Sequence, residues 1–182
     1  MKPLKQIFES REAVFAGFLI ATLGAGCVTP GGGGTELFNG KNLDGWEVTD
    51  FAGGGAIKVK DGEIHMAMGE LISGINLAHE NIPRTNYELE AEAMKLDGND
   101  FFCGLTFPVG DTFASFIPGG WGGTVVGLSS IDGMDAAENE TATFKQFKTH
   151  QWYHFRVRVT PGKIQCWVDD EMVVDQIGRA HV

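Results

Sequence analysis

Apolar and polar residues alternate along several stretches of the chain, and this period of two predicts β-strands. The clearest stretches are residues 87–95 and 152–160, where apolar side chains occupy every second position between charged ones. Shorter strands are predicted over residues 57–60, 63–68, 71–77, 101–107, 113–117, 124–128, 141–147, 163–168 and 172–174. Because no segment after residue 35 keeps a helical period for more than two turns, the pattern predicts an all-β domain.

Turn residues separate these strands and set the expected architecture. Asp61-Gly62 lies between two alternating runs, which is a strong hairpin signal, and Pro161-Gly162 follows the strand that ends at Thr160. The 26 glycines and 13 phenylalanines of the chain fit short aromatic strands joined by tight turns. We therefore expect two antiparallel sheets packed face to face, an antiparallel β-sandwich.

Two rows of charged side chains lie on the polar faces of the longest strands. Glutamates alternate over residues 88–92, and basic side chains alternate over residues 154–158. Since opposite charges on neighbouring strands stabilise a sheet, we expect these strands to be adjacent and Arg156 to pair with one of the glutamates. A solvated outer face is the alternative.

The first 26 residues have the features of a signal peptide. An uncharged apolar run over residues 13–26 follows Lys2, Lys5 and Arg11, and it is short for a membrane-spanning helix. Small residues before Cys27 resemble a bacterial lipobox, so a lipid anchor at Cys27 is predicted, with an ordinary signal peptide cut nearby as the alternative.

The predicted lipid anchor would attach the protein to a membrane. The residue after Cys27 is Val28 and not an aspartate that would retain the protein at the inner membrane. We therefore expect a protein of the outer membrane or cell surface, with the periplasm as the alternative. Residues 27–35 would form a glycine-rich tether, and residues 36–175 the folded domain.

The remaining cysteines and the C-terminal residues have two interpretations each. Cys103 and Cys166 fall at apolar positions of predicted strands, so two buried thiols are favoured over a disulfide. Residues 176–182 are predicted to be a non-native tail, because Ile177 to Val182 resembles a translated sequencing adapter. A true short tail is the alternative.

Charge and motif content exclude several functions. The net charge is −10, and the 14 basic residues are scattered, which argues against nucleic-acid binding. Histidine and cysteine spacings do not fit a zinc site. Oxygen-rich turns at residues 97–100 and 132–135 could hold Ca²⁺, but neither has the full ligand pattern, so plain turns are favoured. No metal site and no cofactor are predicted.

Two stretches resemble one family of sugar-acting proteins. The segment LFNGKNLDGW, Leu37 to Trp46, resembles the opening strand and turn of the 3-keto-disaccharide hydrolase family, also described as 3-keto-glucoside lyases and hydratases. The segment WYHFRVRVTPGKIQCWVDDEMVVD, Trp152 to Asp175, resembles its late hairpin. The resemblance covers about Glu36 to Asp175 and implies a concanavalin-like jelly-roll β-sandwich.

The resemblance implies cleavage of a glycoside that is already oxidised at C3. A base removes the acidified C2 proton, the aglycone leaves by elimination, and water adds back. This chemistry needs a general base, an acid for the leaving group and a group that polarises the ketone. Asn99 matches the family's Asn-Ser-Gly strand, and Asp132 stands near the place of a family aspartate. The family's Glu-x-Gln pattern is absent from Gly119 to Thr141.

The segment from residue 119 to 141 contains the candidate catalytic groups. Asp132 and Glu138, with Asp135 near them, are the carboxylates expected to act as base or acid. Glycine-flanked Trp121 could present its indole to the apolar face of a sugar. An ordinary loop with solvated acids is the alternative.

Other polar residues are expected to bind substrate hydroxyls. Asn139 and Asn99 would do so through their amides, and Arg156 would do so from the polar face where sandwiches of this type bind sugars. Two functions stay open: an enzyme acting on plain or 3-keto-glycosides, and a non-catalytic carbohydrate-binding module. Either way the expected partner is a glycan or glycoside.

Overall fold

The structure is a computed structural model that describes residues 12–15, 20–23, 34–70, 72–78 and 81–177, all of them strand, turn or loop. The described strands are β1 (Glu12–Phe15), β2 (Ile20–Leu23), β3 (Thr35–Glu36), β4 (Trp46–Val48), β5 (Ile57–Lys60), β6 (Glu63–Ala67), β7 (Ile75–Leu77), β8 (Tyr87–Met94), β9 (Leu105–Val109), β10 (Thr112–Gly120), β11 (Val125–Ser129), β12 (Thr143–Phe144), β13 (Trp152–Thr160), β14 (Lys163–Val168) and β15 (Glu171–Ile177). In this part of the chain there is no helix of the length and apolar character that crossing a membrane requires.

The described strands pair antiparallel into one large sheet, one small sheet and a strand pair. The large sheet has nine strands, with the order β15-β14-β13-β8-β1-β6-β5 and with β2 and β3 joined beside β8. The small sheet has four strands in the order β12-β11-β10-β9, and β4 pairs with β7. The predicted all-β antiparallel architecture is confirmed.

The hydrophobic core lies between the large and the small sheet. Every second residue of β13, including Phe155 and Val157, is fully buried, as are Phe116 of β10 and Leu128 of β11. The rings of Phe116 and Phe155 meet edge to face across the two sheets, with centroids 6.2 Å apart. Because side chains alternate along a strand, the intervening residues of each strand must lie on the outer face of its sheet.

The predicted adjacency of the two charged rows is confirmed. Strands β8 and β13 pair in a register that sets Arg156 opposite Glu90 and Arg158 opposite Glu88. Arg158 forms an ion pair with Glu88, and His154 Nε2 lies 3.3 Å from Glu90 Oε2.

The predicted ion pair of Arg156 with a glutamate is wrong. Its direct neighbour on the other side is Trp167 of β14, and the guanidinium carbon lies 4.1 Å from the centroid of that indole. A planar guanidinium stacks well on an indole, and the carboxylate of the opposite residue, Glu90, is paired with His154 instead.

Three predicted strands are shorter in the structure. Strand β7 begins at Ile75, β9 begins at Leu105, and β12 contains only Thr143 and Phe144. The residues before Leu105 lie against the turn over residues 119–123, as described below, so they cannot continue the sheet ladder. Leu71, the first residue of one predicted strand, lies outside the described residues.

The described strands extend beyond both predicted ends of the folded domain, residues 36 and 175. Strands β1 and β2 fall within the stretch predicted as a signal peptide, and Cys27 lies outside the described residues. At the other end, Gln176 and Ile177 continue β15 and pair with Ile164 and Lys163. Residues 178–182 lie outside the described residues, so the signal peptide, the lipid anchor and the non-native tail stay predictions.

The opening motif LFNGKNLDGW builds a self-contained turn. The Oδ1 atom of Asn39 accepts hydrogen bonds from the backbone N–H groups of Lys41 and Asn42, at 2.8 and 3.0 Å. The indole N–H of Trp46 donates to the carbonyl oxygen of Leu37 over 2.8 Å, which ties the end of the motif to its beginning. The motif therefore specifies local backbone shape.

Cys103 and Cys166 are free thiols buried in the core. Burial raises the pKa of both thiols because a thiolate would lose its hydration there. The favoured interpretation of two buried small apolar residues is confirmed, and the alternative disulfide does not form.

Candidate functional site

The glycine-rich turn over residues 119–123 lies directly against the segment that precedes β9. The N–H of Phe102 donates to the carbonyl oxygen of Gly119 over 2.8 Å. A Cβ atom on Gly123 would lie 2.9 Å from the carbonyl oxygen of Asp100, and one on Gly120 would lie 2.8 Å from Ile117 Cγ2. These contacts are too short for any side chain, so close packing explains why glycines occupy the turn.

Two exposed aromatic rings lie together here, Trp121 from the turn and Phe101 from the segment before β9, and we call them the aromatic corner. Their centroids are 6.0 Å apart with an interplanar angle of 61°, and the two residues are 44% and 42% exposed. Such edge-to-face contact is a favourable aromatic geometry. The corner is therefore an ordered apolar surface open to solvent.

The backbone of Trp121 is strained. Its φ is +42°, a left-handed conformation that costs a non-glycine residue about 1–2 kcal/mol. The next N–H, of Gly122, donates to the Asp100 carboxylate over 2.8 Å, which holds the turn in this shape. The positive φ reverses the chain direction sharply at Trp121.

A second element, the acid loop over residues 130–142, contains the candidate carboxylates. Asp132, Asp135 and Glu138 are all exposed, and their carboxylates make no hydrogen bond or ion pair within the described part of the chain. Asp132 and Gly133 both have positive φ and form a tight turn closed by the Met134 N–H, which donates to Ile131 over 2.9 Å. The carboxylates are therefore open to a ligand.

The aromatic corner and the acid loop share one support, the side chain of Ile117. Ile117 forms a small buried cluster with Val125 and with Ala136 of the acid loop. On its other side it lies beneath the Phe101 ring, because both would contact a Cβ atom placed on Gly104 at 3.5 Å. Ile117 alternates with core residue Phe116, so both elements lie on the outer face of the small sheet.

The structure groups some of the predicted binding residues and separates others. Asn99 is exposed beside the aromatic corner, with its carbonyl oxygen 3.0 Å from the Cβ position of Gly123. Asn139 is buried, and its amide hydrogen bonds are all internal. Arg156 lies on the outer face of the large sheet, so the whole core separates it from Trp121.

Phe101 is a residue of the candidate site that the sequence pattern does not predict to be exposed. Its position in the run Phe101-Phe102 predicts burial in a strand, and only Phe102 packs on the core. The available signal was the Gly98-Asn99-Asp100 turn directly before it, which predicts that the chain is not yet extended at residue 101.

Comparison with known families gives an assignment for the chain. The model of the 3-keto-alpha-glucoside-1,2-lyase-like domain matches residues 33–181. The chain belongs to this family. No curated protein and no solved structure matches the chain with significance.

Membership in the 3-keto-alpha-glucoside-1,2-lyase-like family confirms the resemblance seen in the sequence and indicates a carbohydrate-related function.

This member has few polar groups on the strand that precedes the acid loop. The outward positions of β11 are Val125, Gly127 and Ser129, so its carboxylates come from the loop instead.

The described residues contain no group of three or more His, Cys, Asp or Glu side chains arranged to hold a metal ion. In the turn over residues 97–100, two carboxylate groups already accept hydrogen bonds from backbone N–H groups. Asp97 Oδ1 accepts from the Gly98 N–H over 2.6 Å, and the Asp100 carboxylate accepts from Gly122.

Replacing Gly120 by alanine should destabilise the protein by about 1–3 kcal/mol, because the new methyl group would overlap Ile117 and the Phe101 ring. Urea unfolding followed by tryptophan fluorescence measures the effect. The matched control is Gly162→Ala in the β13–β14 turn, where a Cβ atom meets nothing within 4 Å. Equal stability of the two variants would contradict the close packing described here.

Proposed function

We propose that this protein cleaves 3-keto-glycosides on the outer face of the small sheet. The observation that carries the proposal is that an ordered aromatic corner and a loop with three unpartnered carboxylates rest on the same side chain, Ile117. Family membership supports the substrate class, and the geometry supports the location.

The aromatic corner would bind the sugar ring. Pyranose rings have an apolar C–H face that packs on an indole, and Trp121 is exposed and contacts Phe101 edge to face. Asn99 lies beside the corner, and its side-chain amide makes no hydrogen bond with the described residues, so it is free to bind a hydroxyl group.

The acid loop would supply the proton transfers. Asp132 and Glu138 share the roles of base and acid, with Asp135 between them. The base takes the proton from C2, beside the C3 ketone. The electron pair forms a C1–C2 double bond as the bond from C1 to the aglycone oxygen breaks, and the acid protonates that oxygen. Water then adds at C1, so the products are a 3-keto-sugar and an alcohol.

Carbohydrate binding without catalysis is a second candidate function. Strand β11 presents Val125, Gly127 and Ser129 outward, and the family's Glu-x-Gln pattern is absent. A member that had lost its catalytic groups could still bind a glycan at the aromatic corner. The activity measurement below separates the two candidates.

For the place of action, we propose an exported lipoprotein of the outer membrane or cell surface. The support is the apolar run over residues 13–26 and the small residues before Cys27. The lipid on Cys27 would be the partner that holds the protein at the membrane.

Expression of the full chain in bacteria with radiolabelled palmitate should give a labelled protein. The variant Cys27→Ser should stay unlabelled, because only the thiol of residue 27 becomes acylated. Label of equal strength in both proteins would rule out Cys27 as the lipid site.

Incubation of the full chain with a 3-keto-glucoside should release its aglycone, measured by chromatography. Glu138→Gln and Asp132→Asn should each lower kcat by about 100-fold or more, because each removes one proton-transfer group. The matched control is Glu140→Gln in the same loop, whose carboxylate pairs with Gln176 and has no proposed role. Glycan binding without turnover in the unmodified chain would favour the binding module, and neither binding nor turnover would reject both.

Trp121→Ala should weaken binding of a 3-keto-glucoside about tenfold, because a stacked aromatic contact contributes about 0.5–1.5 kcal/mol. Isothermal titration calorimetry measures the affinity, with both tryptophan variants made in the Glu138→Gln background so that the ligand is not cleaved during the titration. Trp152→Ala is the matched control, since Trp152 is also exposed but lies on the large sheet. A larger loss from Trp152→Ala than from Trp121→Ala would move the site to the other face of the sandwich.

A further inference from the structure

We infer that Asn139 is the positioning residue of the candidate site and that it sets the distance between the carboxylates of Asp132 and Glu138. This inference rests on the proposed catalytic role of the acid loop. It gives Asn139 a different role from the substrate contact expected from the sequence, and it follows from the hydrogen bonds of its buried amide.

The Nδ2 group of Asn139 donates to backbone carbonyls on both sides of the acid loop. The acceptors are Leu128 at 2.7 Å, Asp135 at 2.9 Å and Met134 at 3.4 Å. Its Oδ1 atom accepts from the N–H of Thr141 at 2.9 Å and from the Thr141 hydroxyl at 2.6 Å. One side chain, 7% exposed, therefore joins the strand β11, the middle of the loop and its end.

Two of these acceptors connect Asn139 directly to the proposed catalytic residues. The carbonyl of Asp135 also accepts from the Glu138 N–H over 2.9 Å, so Asn139 and Glu138 are bound to the same oxygen atom. The carbonyl of Met134 closes the turn that contains Asp132, because it also accepts from the Ser130 N–H over 3.0 Å. The relative position of Asp132 and Glu138 thus depends on the amide between them.

Further hydrogen bonds and close contacts around this amide hold the acid loop against β11. The Thr141 hydroxyl accepts from the Leu128 N–H over 2.8 Å, and the Ser129 hydroxyl accepts from the Ala136 N–H over 3.1 Å. A Cβ atom on Gly127 would lie 3.0 Å from Thr141 Oγ1 and 3.3 Å from Ala136 Cβ, so the loop lies directly on this glycine. The loop is held as one packed unit on the sheet.

Only an uncharged amide fits this position. An aspartate of the same shape has no N–H group, so at neutral pH its carboxylate would face two or three carbonyl oxygens without a donor. The carbonyls of Met134 and Asp135 would keep the Ser130 and Glu138 N–H donors. The buried carboxylate oxygen that replaces Nδ2 would have no donor and would face these carbonyl oxygens, which costs about 1–3 kcal/mol or more, and the loop would relax to expose it. At low pH the protonated carboxyl group regains one O–H donor, which restores part of the arrangement.

The experiment compares the full chain with Asn139→Asp, using a 3-keto-glucoside as the probe. We expect kcat at neutral pH to fall about 100-fold, since a displacement of about 1 Å in catalytic groups has an effect of that size, while KM changes less than about twofold. The ratio of variant to unmodified kcat should rise as the pH falls. Asn76→Asp, at the exposed middle position of β7, is the matched control and should show no change at any pH.

Equal changes in kcat and KM, or a ratio that does not vary with pH, would overturn the inference. If Asn139→Asp fails to fold, Thr141→Val and Thr141→Ser replace it. Valine keeps the shape of threonine and removes the hydroxyl that donates to Asn139 Oδ1, so kcat should fall. Serine keeps the hydroxyl and should retain kcat within about twofold. Equal kcat in the two variants would also overturn the inference.

Hydrogen exchange separates failure of this inference from failure of the proposed function. If the unmodified chain has no activity, the proposed function is wrong. The role of Asn139 is then still measured by the amide exchange of Glu138 and Met134, which should accelerate in Asn139→Asp at neutral pH but not at Phe155 in the core. Unchanged exchange at Glu138 and Met134 would overturn the role of Asn139 by itself.

Discussion

The burial of one face of each sheet against the other is the constraint on which the rest of the structure depends. Because side chains alternate along a strand, each core residue such as Phe116 or Phe155 forces its neighbours to the outer face. Whether a residue holds an odd or an even position along its strand therefore decides which face of the sheet it lies on, and so which side chains it can contact. It puts Ile117, with the aromatic corner and the acid loop, on one surface, and it puts Arg156 on the opposite surface of the sandwich.

The alternating pattern predicts the strands from β5 onward, with different ends for β7, β9 and β12, and the hairpin turns, and with the charged rows it predicts the adjacency of β8 and β13; it does not predict β1 to β4. These features depend on local periodicity and on charge pairing between neighbouring strands, which a sequence displays directly. The ion pair of Arg156 was predicted wrongly because the decisive partner, Trp167, comes from a third strand. Periodicity does not reveal which of two neighbouring strands provides the stronger contact for a given side chain.

The candidate site was only partly predictable for a related reason. Exposure of Phe101 follows from the close approach of its segment to Gly119, Gly120 and Gly123, which are distant from Phe101 in the sequence. Burial of Asn139 follows from a loop that folds back onto β11. From the sequence, an asparagine in a polar loop is expected to be free to bind a ligand. In the structure its amide already donates hydrogen bonds to backbone carbonyls.

The family motif and the proposed chemistry lie in different parts of the molecule. LFNGKNLDGW makes hydrogen bonds within its own turn, and none of the proposed catalytic groups belongs to it. The acid loop, in contrast, lies in the region where the sequence departs from the family pattern.

The position of Ile117 beneath both surface elements has a consequence for how such a protein can change. A single buried aliphatic side chain supports the aromatic rings on one flank and the carboxylate-bearing segment on the other. Exchanging it for a smaller or larger aliphatic residue would move both surface elements, and with them the proposed site, without altering any group proposed to contact the sugar. A buried side chain that contacts no ligand would thus couple the two halves of the proposed site.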